Sequence, residues 1–449
     1  MMRSDLLKYL DRRIPRYTSY PTAVQFHSDV DARSYERWLA ALAAQAPVSI
    51  YIHVPFCAEL CLYCACHTTV VRRYAPVAAY VDVLAAEIAL IGGRLARPVV
   101  TQIHWGGGTP TMLAPRDLLR VTDALRTNFT VTPGTETAIE IDPRSLTREH
   151  VATMTEMGIT RASLGVQDFA ERVQQAIGRT QSFDETARAI DGLRGAGIAN
   201  VNIDLMYGLP HQTVATITAT AERALALEPD RIALFGYAHV PWMKRHQKLI
   251  PEDALPGSGE RFAQNCAAAE VFAQAGYRRI GLDHFARAAD LMARRQRDGR
   301  LHRNFQGYTT DESPNLIGFG PSAIGALPDG YVQNAPGMVN YRAAISAGRP
   351  ATVRGRALTS EDRLRGRIIE RLMCDLQADI GELCAAHKAK ADHFAAELRR
   401  LDEFVADGIV ERTGNQIRVP EQARPFVRAV CAVFDAYLSN DEMRFSRAS

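Results

Sequence analysis

The 449-residue sequence predicts an α/β fold, a partial (β/α)6 barrel with an arm before it and a mainly helical domain after it. Three observations carry this. Six short β-branched or apolar runs recur between residues 48 and 237, amphipathic stretches with apolar residues near i, i+3 and i+4 separate them, and from about residue 359 the composition turns helical. Strand–helix alternation at this spacing builds a parallel sheet wrapped by helices. Six units in one run fit a partial barrel better than two dinucleotide folds.

Residues 1–45 form the arm. Residues 46–290 hold the barrel, with strands expected at 48–55 (VSIYIHVP), 99–105, 137–142, 159–166, 201–206 and 231–237, and helices at 77–91, 115–129, 148–157, 184–196 and 213–227. Residues 291–358 extend the barrel, with loops expected around HRNFQGYTT (302–310) and GFGPSAIG (318–325); a helix at 258–275 precedes them. Residues 359–449 read as helices at 361–376 and 380–407, a tight turn at Gly414-Asn415 and a last helix at 421–438, a winged-helix-like pattern. This segment mixes acids and bases without a basic stripe, so nucleic acid is not expected as a partner.

Composition limits the rest. With 47% hydrophobic and 23% charged residues and a net charge of +3, the chain reads as an ordinary soluble protein. The longest charge-free run, 39–58, contains Gln45, Pro47, Ser49, His53 and Pro55 and is rejected as a membrane span. The N-terminus lacks a signal peptide's apolar core, so a cytoplasmic location without disulfides is expected.

Eight cysteines are present, and four of them, Cys57, Cys61, Cys64 and Cys66, fall within ten residues. The others, Cys266, Cys374, Cys384 and Cys431, read as small core residues. Cys57-x3-Cys61-x2-Cys64 directly follows the first expected strand, where a barrel's loops carry its chemistry. Three thiolates on one loop can hold three irons of a 4Fe-4S cubane and leave the fourth open. A structural zinc site, which usually takes four ligands as two spaced pairs, and a plain electron carrier, which needs a fourth cysteine ligand, are the alternatives.

CxxxCxxC after the first strand is the signature of radical S-adenosylmethionine enzymes, and its extended form here, YIHVPFCAELCLYCAC, resembles that of the oxygen-independent coproporphyrinogen III oxidase family. Further segments carry the resemblance along nearly the whole chain: PRYTSYPTA (15–23), HWGGGTPT (104–111), IEIDPR (139–144), LGVQDF (164–169), NIDLMYGLP (202–210), DHFA (283–286), HRNFQGYTT and GFGPSAIG. The resemblance implies Cys57, Cys61 and Cys64 as ligands of a 4Fe-4S cluster, one S-adenosylmethionine chelating the fourth iron, and a second bound nearby. It also implies Gln167, Arg179, Asp204 and Ala238 around the second molecule, and Ile324 as a backbone or apolar contact. Two departures are Ala65, where the family often has glycine, and Pro321, which removes a backbone donor from the GFGPSAIG loop.

The residues themselves add reasons. Gly106-Gly107-Gly108-Thr109-Pro110 ends the second strand and, lacking side chains at three positions, exposes backbone to an amino acid's ammonium or carboxylate; a tight turn is the plainer reading. Gly107, Gly108 and Thr109 are the cofactor candidates. Glu140 ends the third strand and could accept from ribose hydroxyls or pair with an ammonium. Tyr51 and Tyr63 flank the cysteines as ring surfaces, although either alone would more often be core. His53, His104 and His284 are treated as structural.

Coproporphyrinogen III carries four propionates and calls for cations. Residues 1–20 hold five basic residues against two acidic ones, and Arg12, Arg13 and Arg16 are the substrate candidates of an arm that would close as a lid. The implied reaction begins with an electron entering the cluster from a donor such as flavodoxin or ferredoxin. Reductive cleavage of the sulfonium gives a 5′-deoxyadenosyl radical, which takes a propionate β-hydrogen; loss of CO2 and an electron leaves a vinyl group, twice over. The chain is expected to act as a monomer. A related haem chaperone shares the three-cysteine loop but lacks the fourth cysteine and the arm. Cys66, the candidate catalytic cysteine, and PRYTSYPTA therefore favour the oxidase.

Overall fold

Six parallel strands run side by side in chain order: β1 (Val48–Val54), β2 (Val100–Gly107), β3 (Glu136–Ile141), β4 (Arg161–Gln167), β5 (Asn200–Tyr207) and β6 (Arg231–Gly236). The computed structural model describes residues 6–44 and 46–438; Arg3, Asp5 and Gln45 lie outside them. Between strands the chain crosses back through α1 (Ala75–Gly92), α2 (Pro115–Asn128), α3 (Arg148–Met157), α4 (Phe183–Gly195) and α5 (Val214–Ala226). Local chemistry starts and stops these helices. Thr147 caps α3 by accepting from the His150 N–H, and Gly158 ends it in the left-handed region at φ 77°. Ser182 and Glu185 close a capping box on α4.

Val, Ile and Leu recur along the strands where the helices cover them, and the main core lies between the sheet and these helices. α1 is the one described helix long and apolar enough to cross a membrane. It lies against the sheet instead, with Val77, Tyr80, Val81, Leu84 and Ile88 buried.

The sheet continues past both ends of the barrel to twelve strands. After α6 (Ser258–Gln274), β7 (Tyr277–Ile280) and β8 (His284–Arg287) add beside β6. On the other side β9 (Leu316–Phe319) pairs parallel with β1, followed by antiparallel β10 (Ile324–Leu327), β11 (Gly330–Asn334) and β12 (Thr352–Ala357). The ladder runs linearly from β12 to β7, which agrees with a partial barrel.

Several expectations are corrected. The 302–310 segment is a hairpin of His302–Asn304 against Gly307–Thr309. The 318–325 segment forms the β9–β10 turn, made possible by positive φ at Gly320 and Ser322. The single helix expected at 380–407 is three short ones, Ile380–Ala386, Ala395–Arg400 and Asp402–Ala406. Lys388 sits at φ 57°, and the polar stretch around it offers no apolar stripe to bury. The last helix is shorter than 421–438: an opening 3-10 turn contains Pro425, which has no N–H to give, and only Val427–Cys431 is α-helical. Cys374, Cys384 and Cys431 are buried as expected, but Cys266 is exposed on the outer face of α6.

Beyond α7 (Ser360–Asp375), Gly414-Asn415 turns a hairpin between Glu411–Thr413 and Gln416–Arg418. A second core joins this end of the chain to its beginning. Tyr9, Leu10, Ile14, Tyr17 and Tyr20 of the arm pack with Ile368, Leu372, Phe426, Val430 and Phe434.

Candidate active site at the mouth of the barrel

The cysteine loop leaves the end of β1 and returns to it. The two-residue strands Phe56–Cys57 and Thr69–Val70 pair in parallel, so the intervening residues form a closed excursion over the strand ends. Each of the three sulfurs expected as ligands has a donor beside it. Thr68 Oγ1 donates to Cys57 Sγ at 3.1 Å, with Thr109 Oγ1 at 3.6 Å. Arg179 Nη1 and Arg144 Nη2 lie 3.6 and 3.9 Å from Cys61 Sγ. The Cys66 N–H lies 3.4 Å from Cys64 Sγ. The electrostatics differ along the loop: burial pushes the Cys57 thiol up, whereas hydrogen bonds from Cys66 pull the Cys64 thiol down. Donors of this kind favour thiolate and stabilise charge on ligated sulfur.

The chemistry of this donor set fits an iron–sulfur cluster. All the loop's cysteines are free thiols. Among the described residues no three His, Cys, Asp or Glu side chains converge on one ion, and a cubane asks instead that each thiol meet a different iron. Away from the loop the CxxH spacing of Cys384 and His387 has its cysteine fully buried in the C-terminal core. Gly108 lines the cradle, since a Cβ there would stand 3.0 Å from Cys57 Sγ and 2.6 Å from the Phe56 carbonyl.

The glycine loop and Glu140 form one unit. The Gly107 N–H donates to Glu140 Oε2 at 3.1 Å, His104 Nε2 hydrogen-bonds Oε1 at 3.0 Å, and a Cβ at Gly106 would lie 2.7 Å from Oε1. Gly107 itself has φ +118°, which suits glycine. Tyr51 lies opposite His104 in the β1–β2 register and stacks on its ring at 5.9 Å. Its hydroxyl meets His53 Nδ1 at 3.0 Å.

Asp142, which the sequence reading passed over, organises the other side. Arg179 reaches its two oxygens at 3.2 Å each, and Arg144 adds a 2.7 Å contact. Burial opposes the charge, but these two guanidiniums hold the carboxyl below its usual range. Arg179 also donates to the Gly165 carbonyl at 2.6 Å, beside the β4 bulge where Gln167 adopts φ 71°. Asp204 accepts from Asn202 at 2.7 Å and Ser163 at 3.1 Å; burial, and then the charge of Glu140, push its carboxyl up to about 6. Asp204 and Glu140 line one cavity inside the barrel.

The remaining candidates lie at the edges. Tyr63 packs among Val173, Ile177 and Ile250, Ala238 follows β6, and Ile324 begins β10. A segment after β6 roofs the cysteine loop through its carbonyls, with Lys244 on Cys66, His246 on Cys64 and Gln247 on Tyr63 at 2.7–2.9 Å. Nothing in the sequence signalled these contacts or Thr68. Of the three arm arginines only Arg16 reaches the barrel end, donating to the Gly236 carbonyl at 2.9 Å. Arg13 stacks on Trp242, and Arg12 is exposed.

Comparison with known proteins shows the family. The Radical SAM superfamily model matches residues 51–224, the stretch that carries the cysteine loop, Glu140 and Asp204. An oxygen-independent coproporphyrinogen III oxidase of Bradyrhizobium diazoefficiens is 50% identical over 449 residues, covering all of both chains. The chain belongs to the oxygen-independent coproporphyrinogen III oxidase family. The coproporphyrinogen oxidase relative from Pseudomonas aeruginosa is 39% identical over 99% of this chain and 98% of its own. The solved structure of the Escherichia coli coproporphyrinogen III oxidase, described as a radical SAM enzyme, superposes with a TM-score of 0.91 at 36% identity, covering 98% of this chain and 99% of that one.

Proposed function

We propose that this enzyme converts two propionates of coproporphyrinogen III to vinyl groups without oxygen, giving protoporphyrinogen IX in haem biosynthesis. The end-to-end match to an oxidase of that name, at 50% identity over every residue, is the observation that carries the reading. The electron-carrier and haem-chaperone alternatives are not favoured by these relatives.

Membership of the radical SAM superfamily brings a 4Fe-4S cluster and S-adenosylmethionine. When bound and reduced, this pair supplies a 5′-deoxyadenosyl radical able to remove hydrogen from an unactivated carbon. In our reading Cys57, Cys61 and Cys64 hold three irons, and Thr68, Arg179 and the Cys66 N–H steady their sulfurs. Gly107, Gly108, Thr109 and Glu140, with Tyr51, Tyr63 and Ile324, receive the S-adenosylmethionine that completes the cluster. A second molecule lies against Gln167, Arg179, Asp204 and Ala238. Support for this division comes from the hydrogen-bonded unit of Gly107 and Glu140 and from the cavity that Glu140 shares with Asp204. Cys66 acts in turnover without ligating iron.

The protein's own part is to orient the reacting carbon and to exclude water and oxygen. The arm serves the substrate through Arg12, Arg13 and Arg16, and the hydrogen bond of Arg16 to Gly236 at the end of β6 supports a leading part for Arg16. A one-electron donor such as flavodoxin or ferredoxin supplies the electron, and the chain works as a monomer. No membrane span is needed, since α1 is built into the core.

The test is anaerobic incubation of the reconstituted enzyme with a reductant, S-adenosylmethionine and coproporphyrinogen III. Divinyl product with methionine and 5′-deoxyadenosine is expected. Stable haem binding without product would overturn the reading.

A further inference from the structure

A cavity beside the barrel gathers guanidiniums from three distant parts of the chain: Arg16 of the arm, Arg303 of the 302–309 hairpin and Arg428 of the Val427–Cys431 helix. Its lining contains one carboxylate, Asp283, and that group's Oδ1 is taken by His284 Nδ1 at 2.6 Å. The cavity therefore holds an excess of positive charge.

Carbonyls fix the direction of the arginines, and Asp283 is the carboxylate whose charge reaches both Arg16 and Arg303. Arg16 Nη2 donates to Gly236, Arg303 Nε to Tyr17 at 3.2 Å, and Arg428 Nε to Pro15 at 3.0 Å. Neither Arg16 nor Arg303 has a carboxylate partner recorded among the described residues. Arg303 Nη1 is buried without any hydrogen-bond partner. A buried guanidinium N–H left unmade is costly, and like charges brought together repel. Burial, followed by the nearness of Arg16, pushes Arg428 down to about 9. Such a cluster has the chemistry to receive an anionic group.

The walls narrow the choice of anion. Phe235, Phe262 and Phe305 line the same cavity, so it offers flat apolar faces next to the cations. Inorganic phosphate has no use for those faces, whereas a pyrrole bearing a carboxylate uses both. Phe235 and Gln306 also line the barrel cavity that holds Glu140 and Asp204, so a ligand anchored by the arginines has its far side directed at the proposed reaction site.

We propose that the Arg16–Arg303–Arg428 cavity is the carboxylate subsite of the enzyme, holding a propionate of the tetrapyrrole that is not being decarboxylated, with Arg16 and Arg303 as its direct contacts. This rests on the functional reading above. It assigns Arg303 and Arg428, which no charge pattern in the sequence singled out, to the same site as Arg16. A planar guanidinium pairs with a carboxylate through two parallel hydrogen bonds, so Arg303 Nη1 gains the acceptor it lacks.

The experiment titrates cluster-reconstituted enzyme anaerobically with coproporphyrin III, a fluorescent tetra-acid, and with its tetramethyl ester in the same mild detergent. Wild type should favour the acid over the ester, and Arg16→Gln and Arg303→Gln should each reduce that preference about tenfold, the scale of one charge-assisted hydrogen bond. Arg16→Lys, which keeps the charge, should retain most of it. Loss of the arm's anchoring alone would weaken acid and ester equally. Equal weakening, an undiminished preference in both Gln variants, or no preference in wild type would each overturn the inference. Divinyl formation by wild type is scored in parallel. Its absence sinks the functional reading, whereas product formation together with an unchanged preference sinks the subsite alone.

Discussion

Replacing Glu87 by Gln should change how the protein's stability depends on pH. Glu87 is on α1, 2% exposed, and accepts from the Gly320 N–H at 2.7 Å, Tyr341 hydroxyl at 2.6 Å and Asn334 Nδ2 at 2.7 Å. It thus latches the β9–β10 turn to the helix behind it. Burial nevertheless outweighs these bonds and pushes the carboxyl from 4.5 up to about 7. Below pH 4.5 both folded and unfolded chains carry the proton and the group has no effect. As pH rises from 4.5 to 7 the unfolded chain releases its proton while the folded one keeps it, so stability falls through that window. At about 1.4 kcal/mol per pH unit the loss is on the order of 3 kcal/mol. Glu87→Gln has no proton to release, and subtracting its stability from that of wild type cancels every other titrating group. Urea unfolding of the apoprotein between pH 4 and 8, followed by fluorescence, should show the difference moving by about 3 kcal/mol in favour of the variant as pH rises. A difference that stays flat across this range would refute the raised carboxyl and the latch argument built on it.

Serine at Cys57, Cys61 or Cys64 should abolish the iron–sulfur absorbance, whereas Cys66→Ser should keep the absorbance and lose vinyl formation; a Cys66 variant without cluster would reverse that assignment. Gly108→Ala would place a Cβ 2.5 Å from Thr68 Oγ1 and 2.6 Å from the Phe56 carbonyl, so iron bound per chain should fall with a loss of roughly 1–3 kcal/mol. Gly192→Ala, on an exposed helical position with open space around it, should instead leave iron content unchanged and gain up to about 1 kcal/mol. With its carboxyl at about 6, Asp204 should hold the second S-adenosylmethionine less well as pH falls through 6, giving a pH-dependent affinity by equilibrium dialysis that Asp204→Asn flattens.

The barrel was legible because buried Val, Ile and Leu recur along the strands between helical stretches, and all six expected runs coincide with β1 to β6 within a few residues. The cysteine loop was legible because its spacing is local. What decides the site around it is long-range. Glu140 and Gly107 looked like separate candidates until the sheet register placed them in hydrogen-bond reach. Thr68, Asp142 and the Lys244–Gln247 roof have ordinary residue types, and only three-dimensional proximity gives them a role. The arm's charge count pointed to three arginines, but folding distinguishes Arg16, at the barrel end, from Arg13, spent on Trp242. Where helices were misjudged, as at 380–407, the polar stretch 385–393 between buried Cys384 and Phe394 had no face to bury.

The core shared by Tyr9, Leu10 and Ile14 with Phe426, Val430 and Phe434 couples the two ends of the chain in time. At roughly 5–20 residues per second, the ribosome needs on the order of 20–80 s to travel from the arm to its packing partners. Over that interval the strands that carry the cysteine loop and Glu140 are made, while the apolar side of the arm waits for Phe426, Val430 and Phe434. The arm therefore reaches its full packing only after the barrel strands have been made, although Asp11 and Arg16 meet partners earlier, in Ser258 and Gly236.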